Sequence, residues 1–130
     1  MTDIASNLER DWKKYTQLCE KFDDSNLNKM LDELGERIVM CPASNRTSGG
    51  FCAPGGLLAH SLDTASKALK ISSSIELSVS KSSILKVCLL HDIGKIGDLE
   101  NDLMIEETSD WHIEKLGQLY KYNENLQKMT

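Results

Sequence analysis

The sequence predicts an all-α fold, a multihelical bundle built as a single domain over residues 1–130. Three observations predict it. Apolar residues recur at spacings of three and four along most of the chain, and strand-like patterning is confined to one short piece. A length of 130 residues, with 40% hydrophobic and 27% charged content, suffices for one core and not for two.

Over residues 3–22 the apolar side chains Ile4, Leu8, Trp12, Tyr15, Cys19 and Phe22 alternate with Arg10, Lys13, Lys14 and Glu20, which is the pattern of an amphipathic helix. Ser25 is the expected cap of a second helix, whose stripe of Leu27, Met30, Leu31, Leu34 and Ile38 closes near Met40, ahead of Pro42. The two make a hairpin over about residues 3–40. Residues 41–54 collect turn-forming and small polar side chains and should form a loop. Further helices are then expected over about residues 55–122. The first, residues 55–70, turns Leu58, Leu62, Ala65 and Leu69 inward, with Ser72 to Ser74 marking its end.

The helix expected at residues 80–93 carries Ile84, Leu85, Val87, Cys88, Leu89 and Leu90 on more than one face, which predicts the most buried element of the fold. Gly94 is the expected left-handed residue that ends it. Beyond Gly97 the chain turns acidic, with one strand candidate at residues 103–105. A short helix capped by Ser109 or Asp110 should follow through Trp111, Ile113, Leu116 and Leu119. Trp12, Tyr15 and Trp111 are assigned to packing.

Composition narrows the function. A net charge of −5 disfavours gripping long nucleic acid by phosphate neutralisation and leaves a small phosphorylated ligand possible. Cys19, Cys41, Cys52 and Cys88 show no CxxC spacing, which favours reduced thiols and a cytoplasmic location. The N-terminus lacks the charged and apolar regions of a signal peptide, and no apolar run approaches the roughly 18 residues of a membrane span. No membrane partner is expected.

The doublet His91-Asp92 stands at the end of the helix expected to be most buried, where two polar side chains are costly unless bonded or bound to metal. His60 sits on another apolar helix after the pair Gly55-Gly56. Two imidazoles and a carboxylate from two packed helices suit a divalent cation such as Mn²⁺, Fe²⁺, Ni²⁺ or Zn²⁺, with Mg²⁺ also open. Arg46, in the loop before the glycines, offers a guanidinium fork for a phosphate. Asp63 and Thr64, about one turn after His60, are candidates for orienting it.

Taken together, Gly55-Gly56-Leu57-Leu58-Ala59-His60-Ser61-Leu62 and, 31 positions after His60, His91-Asp92-Ile93-Gly94-Lys95 resemble the HD-domain superfamily of metal-dependent phosphohydrolases. The likeness is greatest to small HD proteins of tailed phages and to HD-domain 3′→5′ exoribonucleases, and a phage origin would place the protein in the host cytoplasm. It extends through Ser109 to Tyr120.

The resemblance implies an HD-type helical bundle, shortened at its C-terminal end, in which His60, His91 and Asp92 bind one divalent metal. It implies hydrolysis of a nucleotide or short oligonucleotide phosphate ester, with Asp92 also orienting the attacking water. Lys95 stands where the family presents a lysine to the substrate phosphate, and His112 matches a histidine that approaches the site in some relatives. Relatives supply a fourth ligand from an aspartate on a late helix, whereas Asp98, Asp102 and Asp110 here lie in the acidic loop or at a helix start. Phe51-Cys52 occupies positions where some relatives carry histidines. The competing expectation is a shortened, non-catalytic HD-like module that binds another protein or its own copy. Either form should expose apolar surface near the site and associate with a partner or itself.

Overall fold

The computed structural model describes residues 4–127. Helices α1 (Ile4–Glu20) and α2 (Ser25–Met40) form the N-terminal hairpin, and α3 (Gly56–Ser74) and α4 (Lys81–Leu90) pack as a second pair. After a 3₁₀ turn at Ile93–Ile96 come β1 (Met104–Glu106), α5 (Asp110–Leu116), β2 (Tyr120–Tyr122) and α6 (Glu124–Gln127). The architecture is all-α with one small antiparallel ribbon.

The 3.6-residue periodicity places the core where expected. Tyr15 and Cys19 of α1, Leu27, Leu31, Leu34 and Ile38 of α2, and Leu57, Leu58 and Ala65 of α3 are all buried in one cluster, with Leu89 of α4. The cap of α2 is Asp24 rather than Ser25. Its Oδ1 accepts the backbone N–H groups of Asn26 and Leu27, both at 3.1 Å, and its Oδ2 meets Lys86 of α4 at 3.4 Å.

α3 runs past Lys70 and ends within the serine run, at Ser74. In this last turn Ser72, Ser73 and Ser74 turn their hydroxyls back onto the carbonyls of Leu69, Lys70 and Ile71 at 2.9, 2.8 and 2.8 Å.

α4 departs from expectation. Only Leu89 is fully buried, and Val87 is 67% exposed, because α4 packs on α3 and α1 through one side and no described element covers the other. Ile71, Ile75, Leu77 and Val79 are exposed on the neighbouring end of α3 and the loop that follows it. The helix also stops at Leu90, and Gly94 lies within the 3₁₀ turn without a positive φ. The left-handed glycine is Gly97, at φ 99°.

The strand expected at residues 103–105 is shifted by one position, and its partner was not legible. Met104, Ile105 and Glu106 face Tyr122, Lys121 and Tyr120. Gly117, at φ 61°, ends α5 at Leu116, which releases Leu119 from the helix and frees the following residues to pair. Trp111, expected to pack, is 58% exposed beside His112. Among the described residues no helix is long and apolar enough to cross a membrane.

Candidate metal centre

The path to the site begins in the loop before α3. Gly55 adopts φ 87°, and Gly56 sits so close to the Phe51 carbonyl that a Cβ would collide with it. Only glycine fits there. The loop is closed by Ala43 N–H donating to Phe51 O at 2.9 Å and Leu57 N–H donating to Cys41 O at 3.0 Å. It is tied to the ribbon as well, through Thr47 N–H to Gly117 O at 2.9 Å and Leu119 N–H to Asn45 O at 3.0 Å. These bonds fix the start of α3, and His60 lies one turn along it.

His91 caps the C-terminal end of α4 with helical dihedrals, and Asp92 follows with φ −111° and ψ 10°. This break in the helix aims the carboxylate back toward the imidazoles. His60 Nε2 lies 3.4 Å and His91 Nε2 3.1 Å from the same oxygen, Asp92 Oδ2. The imidazole centroids are 5.4 Å apart, and one donor atom from each of the three residues lies within 4.8 Å of the others. Two helices thus bring together residues 31 positions apart.

The chemistry of the donor set asks for a cation. His91 Nδ1 is 2.7 Å from the Cys88 carbonyl, which only accepts, so Nδ1 carries a hydrogen and Nε2, the nitrogen that faces Asp92, is the one open to a metal ion. A His₂Asp set with two nitrogens and an oxygen suits a borderline divalent ion, and the Cys88 carbonyl holds one ring in the ligating tautomer. The residues present therefore fit the metal that the sequence predicts.

Lys95 joins this group. Its Nζ lies 3.4 Å from Asp92 Oδ2 and donates to the Ala43 carbonyl at 2.7 Å, linking the 3₁₀ turn to the loop before α3. The Phe51 ring, centred 5.4 Å from that of His60, packs against the site from the loop. The sequence marked Phe51 only as a departure at a histidine position, and its contact with His60 is what that position supplies here.

Other expected residues are engaged elsewhere. Arg46 is exposed, and its Nη2 reaches Gln118 Oε1 at 3.4 Å, on the ribbon side of the loop. His112 Nδ1 pairs with Ser109 Oγ at 2.7 Å in the first turn of α5. Neither belongs to the ligand cluster. Asp63 pairs with Lys67 at 2.8 Å, one turn further along α3, rather than with His60, because the i, i+4 ammonium is its nearer partner. Asp98 accepts the backbone N–H groups of Glu100 and Asn101, Asp102 pairs with Arg37 at 2.7 Å, and Asp110 opens α5. None completes the ligand set.

A family model described as the HD domain matches residues 57–127, more than half of the chain and a span that contains His60, His91, Asp92 and Lys95. No curated protein and no solved structure matches the chain significantly. With the histidine of α3 and the His-Asp doublet at the end of α4 converging within the matched span, the chain belongs to the HD-domain family.

Proposed function

We propose that the protein is a metal-dependent phosphohydrolase acting on a nucleotide or short oligonucleotide phosphate ester. The observation that carries this reading is the convergence of His60, His91 and Asp92 within 4.8 Å in a chain of this family. When bound, a divalent ion supplies Lewis acidity toward a phosphoryl oxygen and acidifies a water to a nucleophile. His60, His91 and Asp92 would hold it. All three short side-chain contacts of Asp92 fall on Oδ2 among the described residues, which leaves Oδ1 to take the proton of the attacking water. Lys95 Nζ places positive charge beside the oxygens of the phosphoryl group, and its bond to Ala43 O keeps it there. Arg46 on the loop and His112 on α5 are proposed to contact the substrate away from the three candidate ligands.

The test is hydrolysis of nucleoside monophosphates, nucleoside triphosphates and short single-stranded RNA with Mn²⁺ and other divalent ions. Asp92→Ala should abolish divalent-dependent activity, whereas Asp63→Ala should leave it nearly intact, since Asp63 pairs with Lys67. Activity that survives Asp92→Ala overturns the mechanism.

A second reading, a non-catalytic module that binds a partner or its own copy, is supported by the exposed apolar side chains Ile71, Ile75, Leu77, Val79 and Val87. Inactivity on the whole panel together with concentration-dependent light scattering would favour it.

A further inference from the structure

Exposed apolar side chains gather at the far end of α3. Ile71 lies in its last turns, and Ile75, Leu77 and Val79 follow on the loop to α4, all between 49% and 60% exposed. Ile75, Leu77 and Val79 line one hollow with Lys81, and no described element covers them. This tip is basic. Over residues 64–91 the lysines Lys67, Lys70, Lys81 and Lys86 stand against the single acid Glu76, in a chain whose net charge is −5. Lys67 and Lys86 are paired with Asp63 and Asp24, whereas Lys70 and Lys81 are exposed and have no anionic partner among the described residues.

A second surface has the opposite character. Between α1 and α2 runs a groove of about 610 Å³. Trp12, Val39 and Met40 supply its apolar lining, and tryptophan and methionine are residue types enriched at the centres of protein interfaces. Asp32 and Glu36 also line it, both exposed and without a cationic partner among the described residues. Glu36 and Met40 continue into the adjoining cleft beside β1, where Glu106 adds another carboxylate.

The tip cannot fill the groove of its own molecule. Leu57 N–H donates to Cys41 O at 3.0 Å, so the end of α2 at Met40 adjoins the start of α3, and the 19 residues of α3 then carry the chain about 27 Å away. Two copies can meet tip to tip, groove to groove or tip to groove. The first sets Lys70 and Lys81 against their counterparts, and the second does the same with Asp32 and Glu36. Only the third surrounds an apolar centre with opposite charges.

We infer that the α1–α2 groove of one molecule receives the α3–α4 tip of a second copy, in a head-to-tail contact. Ile75, Leu77 and Val79 pack on Trp12, Val39 and Met40, with Lys70 and Lys81 beside Asp32 and Glu36. Such a contact is heterologous: every added copy leaves one tip and one groove open, so assemblies lengthen or close into a ring. The inference rests on neither reading of the metal centre, since a hydrolase and a binding module would associate alike.

The test is sedimentation velocity on the full chain from about 1 μM to about 1 mM. The average mass should rise past that of a dimer with concentration, and less steeply in high salt. Leu77→Glu and Met40→Glu, at positions 49% and 52% exposed, should each leave the far-UV spectrum unchanged and the protein monomeric. Mixed in equal amounts, the two variants should form a dimer and nothing larger, because one brings an intact groove and the other an intact tip. Should either variant unfold, the exposed pair Glu36→Lys and Lys81→Glu replaces it: each alone should weaken association at least about tenfold, and their mixture should recover it. A wild-type chain monomeric throughout, association that survives Leu77→Glu or Met40→Glu, or a mixture that stays monomeric overturns the contact.

Discussion

The phenol of Tyr15 donates to the carbonyl oxygen of Leu89 at 2.6 Å, across 74 positions of sequence. Both residues are about 1% exposed, and Leu89 is two residues before His91. The N-terminal hairpin thereby holds the end of α4, where the helix breaks to present the His-Asp doublet. Burial pushes the phenol well above its ordinary pKa, with the neighbouring Cys19 adding to the shift, so Tyr15 stays a donor. Tyr15→Phe keeps the ring and orphans the carbonyl, which should cost roughly 1 to 3 kcal/mol. A urea titration measures that loss, and an accompanying drop in metal affinity would show that the bond positions the doublet as well as stabilising the core.

The glycines around the site should divide sharply. At Gly94 a Cβ meets nothing within 4 Å and φ is not positive, so Gly94→Ala should be neutral or stabilise by about 0.4 to 1 kcal/mol through the unfolded chain. At Gly97, φ is 99° and a Cβ would strike the Asn101 carbonyl, so Gly97→Ala should destabilise. Gly56→Ala should do so more severely, because Phe51 O and Ala43 N both close on that position from the loop. Thermal melting of the three variants checks the order.

That contrast shows where sequence reading stops. Helical periodicity exposed α1, α2 and their core stripes, because burial of one face is written in the spacing of apolar residues. The candidate ligands His60, His91 and Asp92 were legible because two motifs, Gly55-Gly56-Leu57 running into His60 and His91-Asp92-Ile93-Gly94-Lys95, together resemble a known family, whereas neither motif alone is specific. Which glycine turns left was not legible, since Gly94 and Gly97 differ only in what tertiary structure places around them. The exposure of Val87 escaped for a related reason: an apolar helix reveals that it wants neighbours, and not whether the fold supplies them. Arg37 escaped altogether, because its partners Ile96, Asn101 and Asp102 are brought to it by the chain's return 59 to 65 positions later.

Metal binding should be weak for a protein centre. Three donors leave the remaining coordination positions to water, and relatives add a carboxylate that is not among the ligands gathered here. Calorimetry with Mn²⁺ or Zn²⁺ should give a dissociation constant above about 1 μM, and His60→Ala should weaken it at least about tenfold. Tight stoichiometric binding would mean that a further residue of the chain ligates.

Acid should weaken the fold through its capping carboxylates. The backbone N–H of Leu27 and the ammonium of Lys86 hold Asp24 below its ordinary value, those of Glu100 and Asn101 hold Asp98, and those of Ser109 and Thr108, with Gln118, hold Glu107. A carboxyl depressed in the folded state contributes its full stability above the unfolded value and loses it as pH falls through the folded one. Stability should therefore be level down to roughly pH 4 to 4.5 and decline below it. Urea midpoints measured between pH 7 and pH 3 should show this, with a shallower decline for Asp98→Ala.

Lys95 offers the clearest separation of binding from turnover. Its ammonium lies 3.4 Å from a ligand oxygen, so it competes with a metal ion for Asp92 even as it offers charge to the substrate. Lys95→Gln removes the charge and keeps an amide donor, one bond shorter than the ammonium, on the side of Ala43 O that links the 3₁₀ turn to the loop. The melting midpoint should hardly move. Apparent metal affinity should rise severalfold, because a like charge has left the site, while hydrolysis falls by roughly 10²-fold, the scale on which a lost stabiliser of transition-state charge is felt. A purely structural lysine would instead lower stability and leave both affinity and rate per folded molecule unchanged. Metal titration, melting and single-turnover hydrolysis on the same preparation decide between these outcomes.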